Sequence, residues 1–229
     1  MSRLIELMNR NILTLIVSLP ENSPELAMAA VEAGADALKV HINIKHRAAG
    51  TKFGSLDDER AALQEILDVA DVPVGIVPGE KDVPGESEMK KLADMGFDFF
   101  DIKLKCLPEW MMKMKGLGRI VALEKDYAFD ELMNINSVGA DGVEAAIVSA
   151  SEYGRELNVS DLQGYISVAI SSKVPVVVPT QKAIRPSEVP IISDTGVKAL
   201  MIGAVVTGKT VSSLKKATRE YRIAIDDLG

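Results

Sequence analysis

Strand-like apolar runs recur along the chain at roughly regular spacing, and each is followed by a run with the apolar periodicity of a helix. The apolar runs predict eight strands, at residues 12–18, 37–43, 72–77, 97–104, 119–124, 142–148, 174–179 and 198–202. The stretches between them predict helices at residues 24–33, 56–69, 86–95, 108–115, 128–138, 159–171, 186–193 and 211–226.

Turn and capping residues support these boundaries. Asn22 or Ser23 with Pro24 is typical of a helix start, and Gly34, Gly96 and Gly139 are typical of helix ends. The first ten residues predict a further short helix under the floor of the fold, with its apolar side chains facing in: Leu4, Ile5 and Met8.

Eight strand–helix units with short connections predict parallel strands joined by right-handed crossovers. An open, doubly wound sheet is the competing arrangement. So many units in 229 residues favour a closed, compact (β/α)8 barrel, an α/β fold that forms a single domain over residues 1–229.

The amino-acid composition limits the type of core, the cellular compartment and the partners that we expect. The chain is 47% apolar with 4% aromatic residues, which suits the branched aliphatic layers inside such a barrel. Cys106 is the single cysteine, and we find neither an apolar run of 18 residues nor a signal-peptide pattern. We therefore expect a cytoplasmic protein. The net charge of −7 argues against nucleic acid and anionic membranes as partners.

The polar residues of the strands predict where chemistry occurs. Active sites of such barrels lie at the carboxyl ends of the strands, and side chains alternate between the two faces of each strand. Because the apolar faces must pack on helices, the polar faces point into the barrel. This places six candidate catalytic residues around one mouth: Lys39, His41, Asp101, Lys103, Glu124 and Glu144. Burial there should shift their pKa values.

Each candidate suits a role in acid–base chemistry. Lys103 is suited to a proton-abstracting base or a Schiff-base nucleophile, and His41 to a proton shuttle near neutral pH. Glu124 and Glu144 are suited to general bases or to ligands of a divalent metal. The alternative for the whole set is an interior layer of salt bridges that binds no substrate.

The end of the last strand has the pattern of an anion site. The strand breaks at Gly203, and a glycine at a strand end before a helix lets backbone N–H groups approach a phosphate. The loop after the second strand carries Lys45, Arg47 and Lys52 between glycines, and we expect it to act as a lid over an anion. The segment after the third strand adds Glu80 and Lys81 at the same end.

Residues 175–182, 184–189 and 195–208 resemble the last two units of the phosphate-binding TIM barrels. That superfamily includes thiamine-phosphate synthase, N-acylmannosamine-6-phosphate 2-epimerase and the indole-glycerol-phosphate synthases. The resemblance implies a phosphate held near the ends of the seventh and eighth strands, by Thr180, Gln181, Gly203, Ala204, Thr207 and Gly208.

Together these features predict an enzyme that acts on a small phosphorylated metabolite, with a sugar phosphate as the favoured class. The predicted reaction is that of an isomerase, an epimerase or an aldolase-type lyase. No organic cofactor is required, and a homodimer remains open. A barrel that binds a phosphorylated metabolite without catalysis is one alternative, supported by 179–182 in place of a glycine-rich turn. A metal-dependent lyase or hydrolase built on Glu124 and Glu144 is the other.

Overall fold

In the structure, a computed structural model that describes residues 2–229, eight parallel strands close into a barrel in chain order. The ring closes where β1 pairs with β8, so the predicted barrel is confirmed and the open sheet is wrong. The strands are β1 Thr14–Ser18, β2 Ala37–His41, β3 Val74–Val77, β4 Phe99–Lys103, β5 Gly118–Leu123, β6 Gly142–Ala145, β7 Val176–Pro179 and β8 Ala199–Ile202.

Helices follow the strands and cover the outside of the barrel. They are α1 Arg3–Arg10, α2 Pro24–Glu32, α3 Leu56–Val69, α4 Glu86–Met95, α5 Phe129–Asn134, α6 Val159–Ser171, α7 Val189–Asp194, α8 Ala204–Thr207 and α9 Val211–Asp226. Local capping fixes their ends: the Ser55 hydroxyl accepts from the backbone of Asp58, whose carboxylate accepts from Ser55 in return. Gly96 ends α4 at φ 107°.

The predicted bounds of α3, α4, α6 and α9 agree with the structure, whereas residues 108–115 were wrongly expected to form an α-helix. They form a 3-10 helix, Glu109–Lys113, in which Met111 N donates to Pro108 O and Met114 N to Met111 O. Another 3-10 helix, Pro186–Glu188, precedes α7. Most strands are shorter than predicted, because their apolar flanks continue into loops that pack on the barrel.

The N-terminal helix closes the bottom of the barrel, as predicted. Leu4, Ile5 and Met8 are buried against the lowest interior side chains, among them Phe99. The carboxylate of Asp98 fixes this helix, because it accepts hydrogen bonds from Arg3 N and Leu4 N at the helix start.

Small residues make room inside the barrel. A side chain at Gly75 would overlap the ring of Phe99, so this large ring fills the lower interior only because β3 carries a glycine beside it. With the lower layer filled by apolar groups, polar side chains occupy the upper layer. Across residues 2–229, no helix is long and apolar enough to cross a membrane.

Candidate active site

A cavity of about 190 Å³ opens at the carboxyl ends of the strands. Its walls include side chains of the upper barrel layer and parts of the loops after β2, β3, β6, β7 and β8. This is the end of the fold at which barrel enzymes place their chemistry.

Three ionisable side chains meet on the floor of this cavity. Lys39 Nζ donates to Asp101 Oδ2 at 2.8 Å and to Glu144 Oε2 at 3.0 Å. The three residues come from β2, β4 and β6, and each is less than one-tenth exposed. We refer to Lys39, Asp101 and Glu144 as the buried triad.

Burial changes how the buried triad holds its protons. Burial, together with the nearby Asp101 carboxylate, raises the pKa of Glu144 to about 8 despite the opposing charge of Lys39. Burial alone would lower the pKa of Lys39, but its two carboxylate partners outweigh this and the pKa is raised. At neutral pH Glu144 therefore carries a proton beside an ammonium. Asp101 Oδ1 is buried, and apart from the protonated Glu144, which is within hydrogen-bonding reach of Asp101, no group of residues 2–229 donates to it.

Lys103 and Glu124 belong to a second ion-pair group, nearer the solvent. Lys103 Nζ lies 2.6 Å from Glu80 Oε1 and 3.1 Å from Glu124 Oε1. The Lys103 side chain is 29% exposed. Burial lowers its pKa, but the hydrogen bonds to Glu80 and Glu124 prevail and the pKa of Lys103 is raised. We refer to Lys103, Glu80 and Glu124 as the rim cluster.

The side chain of His41 is buried among aromatic rings. It is 1% exposed, and its ring centroid lies 4.8 Å from that of Phe53 and 4.6 Å from that of His46. Burial, with smaller contributions from His46 and Lys39, lowers the pKa of His41 well below its usual value. The ring is therefore uncharged at neutral pH, and the proton-shuttle role expected for His41 stays a prediction.

The residues expected to hold a phosphate divide into two sets. Thr180, Gln181 and Gly203 line the cavity, and Ala204 follows Gly203 at the start of α8. The Gly203 N–H donates to Thr180 Oγ1 at 3.0 Å, so this group is already used inside the protein. Thr207 and Gly208 lie at the far end of α8, outside the cavity lining.

Gln181 holds the loop after β6 in place. Its Oε1 accepts from Val148 N at 3.0 Å, and its Nε2 lies 2.6 Å from the hydroxyl of Tyr153. Lys182, next in the chain, is 2% exposed and pairs at 3.2 Å with both Glu152 and Asp161. The sequence does not predict these contacts, because they depend on how the loops after β6 and β7 and the start of α6 pack together.

The loop after β2 folds back over the mouth. An antiparallel bridge joins Lys45 to Lys52. Lys45 and Arg47 line the cavity, and the Arg47 guanidinium lies 5.6 Å from the centroid of the Tyr153 ring, on the opposite loop. Lys52 lies outside the cavity lining.

Ser18 at the end of β1 was also missed, although the strand alternation that indicated Lys39 points to it as well. It lines the cavity and is 5% exposed. As for metals, the described part of the chain contains no group of three or more His, Cys, Asp or Glu side chains placed to hold an ion. Glu124 and Glu144 are each paired with a different lysine.

No known family model matches the chain, and no curated protein matches it. Solved structures do. Tryptophan synthase from Mycobacterium tuberculosis aligns over 98% of both chains, with 16% identity and a TM-score of 0.77. Phosphoribosyl anthranilate isomerase from Thermus thermophilus aligns over 95% of this chain and all of its own, with 13% identity and a TM-score of 0.70.

Thiamine phosphate pyrophosphorylase from Pyrococcus furiosus aligns over 96% of this chain and 98% of its own, with 18% identity and a TM-score of 0.63. At such identities these neighbours establish the fold, a TIM barrel whose solved examples include enzymes named for phosphorylated compounds.

Proposed function

We propose that this protein is an enzyme that moves protons on a small phosphorylated metabolite, a sugar phosphate for preference, in an isomerisation, epimerisation or aldol-type reaction. The observation that carries the proposal is the buried triad. It places a carboxyl group that retains its proton at neutral pH beside the carboxylate of Asp101, whose Oδ1 is buried. Both belong to residues that line the cavity.

The buried triad supplies an acid and a base together. Asp101 Oδ1 accepts a proton from the carbon next to a substrate carbonyl, and Glu144 donates its proton to the carbonyl oxygen as negative charge develops there. Each proton removed is thus matched by one supplied. Protonation of the resulting enol at its other carbon or other face by Asp101, with return of the O–H proton to Glu144, then gives the product and restores both groups. Lys39 holds the two carboxyl groups in place and its charge stabilises an enolate-like intermediate.

The mouth favours an anionic substrate. Lys45 and Arg47 line the cavity although the chain as a whole has a net charge of −7. We assign the phosphate to the ends of β7 and β8, near Thr180, Gly203 and Ala204. Two of the structural neighbours are named for phosphorylated compounds, which supports this assignment.

The rim cluster takes a different part in the proposal. The raised pKa of Lys103 favours a permanent ammonium over a base or a Schiff-base nucleophile. We therefore assign Lys103 to attracting and orienting the substrate, with Glu80 and Glu124 fixing its position. No step in this scheme needs an organic cofactor.

Thermal unfolding of the protein with a panel of phosphorylated metabolites, each beside its dephosphorylated form, tests the anion site. A ligand at 100 times its Kd should stabilise the protein by ~2.7 kcal/mol. We expect one phosphorylated compound to raise the melting temperature and its dephosphorylated form to leave it unchanged.

Proton NMR of that compound in D2O then tests catalysis. We expect the C–H signal next to its carbonyl to disappear with the native protein and to persist with Glu144→Gln. Binding without exchange or turnover would support a non-catalytic barrel, and the absence of any stabilisation by phosphorylated compounds would overturn the proposal.

A further inference from the structure

Ser18 lines the cavity, and neither of the ion-pair groups uses its hydroxyl, which is itself buried. The side chain is more than nine-tenths buried, and its Oγ has no hydrogen-bond partner within residues 2–229. Buried hydroxyl groups in proteins are nearly always paired, and an unpaired one is destabilising. A buried, unpaired hydroxyl in a cavity wall is therefore suited to bind a ligand.

The position of Ser18 in the barrel is specific. Strand β1 lies between β8 and β2 in the closed ring. Ser18 is paired in register with Lys39 on β2. On its other side, a methyl group placed on Gly203 would lie 3.6 Å from the Ser18 Cβ. Ser18 thus lies between the end of β8 and the buried triad.

The proposed function indicates which part of the substrate would lie near Ser18. If the phosphate binds at Gly203 and the reacting carbon lies at the buried triad, the part of the substrate that joins them lies next to Ser18. We propose, resting on that function, that Ser18 binds a hydroxyl group on a carbon between the phosphate ester and the reacting carbon. The substrate is then a hydroxylated phosphate ester rather than the phosphate of a simple alcohol.

The chemistry around Ser18 favours a neutral hydroxyl over a charged group. A serine offers one donor and two acceptor lone pairs without a charge, so it pairs with a group that both donates and accepts. A charged substituent here would face the Lys39 ammonium and the Asp101 carboxylate together, and one of the two would repel it. A hydroxyl meets neither difficulty.

Isothermal titration calorimetry with two matched probes tests this inference. Glycerol 3-phosphate carries a hydroxyl on its middle carbon, and 3-hydroxypropyl phosphate is the same molecule without it. We expect the native protein to bind glycerol 3-phosphate about tenfold more tightly, the effect of one hydrogen bond with a buried partner. Ser18→Ala should reduce this preference to less than twofold by weakening only glycerol 3-phosphate.

Thr14→Val provides the matched control. Thr14 lies on the same face of β1, is fully buried, and also has an Oγ without a partner among the described residues, but it does not line the cavity. Its loss should leave the tenfold preference intact.

Equal binding of both probes to the native protein, or a preference that survives Ser18→Ala, overturns the role of Ser18 and leaves the phosphate site standing. If neither probe binds, and no compound of the phosphorylated panel stabilises the protein, the proposed function fails together with this inference.

Discussion

The buried triad and the rim cluster contain the same groups, one lysine and two carboxyl side chains, yet they hold protons differently. In the buried triad, burial raises the pKa of Glu144 to about 8. In the rim cluster the side chains are 29–37% exposed, and the raised pKa of Lys103 indicates an ordinary stable ion pair. The comparison shows that burial, rather than the set of residues, converts a salt bridge into a group that can store and release a proton.

Replacing the lysine of each group should reveal the largest difference in stability between the buried triad and the rim cluster. Lys39→Met leaves two carboxyl groups buried without a cation, and we expect the free energy of unfolding at pH 7 to fall by ~3–5 kcal/mol. Lys103→Met is the matched control, and because its partners are partly solvated we expect a loss below ~1 kcal/mol. Urea unfolding of both variants measures the difference. Equal losses would mean that burial does not distinguish the groups.

The pH dependence of stability should sharpen the comparison further. Because the pKa of Glu144 is higher in the folded protein than in the unfolded chain, the folded state binds the extra proton. Its stabilising effect is complete below the unfolded pKa and is lost as pH rises towards 8, by at most ~1.4 kcal/mol per pH unit.

Unfolding at pH 5, 6, 7 and 8 should therefore show a steeper decline for the native protein than for Glu144→Gln, which cannot titrate at this position. Glu124→Gln in the rim cluster should leave the native slope in place. A Glu144→Gln protein with the native slope would contradict the raised pKa.

The smallest effect on stability, and a distinct one on binding, is expected from the loop after β2. Arg47→Ala removes a cation from the cavity wall and a contact with Tyr153 worth ~0.5–1 kcal/mol at an exposed site. We expect the Kd for the best phosphorylated compound to rise about threefold to tenfold, since a cation that attracts the anionic substrate to the cavity is lost. Lys52→Ala, on the same loop but outside the cavity lining, should change the Kd by less than twofold.

Sequence reasoning reached the barrel because period and capping are local properties. Ser23, Gly96 and the alternation of β2 each act within a few residues, and they determine where elements begin or end and which way their side chains point. The same alternation placed Lys39, Asp101 and Glu144 at one mouth, where the structure brings them together.

The sequence could not show which side chains pair with each other across the interior of the barrel. Lys39 and Glu144 are 105 residues apart, and their contact depends on how the barrel closes. Lys103 is only two residues from Asp101 on β4, and the strand pattern placed both at the same mouth. Lys103 is held, however, by Glu80, on a loop whose path no local pattern determines, and by Glu124. The environment of His41 likewise depends on the ring of Phe53, which the loop after β2 carries into place.

The α1 helix and the ring of Phe99 close the bottom of the barrel, and this determines how substrates and products enter and leave. Because the bottom of the barrel is closed, whatever reaches the buried triad enters and leaves through the cavity at the carboxyl ends of the strands, which Arg47 and Tyr153 line. If the reaction involves two molecules, the one that binds deeper must arrive first and depart last. The order of binding and release is then imposed by the shape of the barrel rather than by relative affinity.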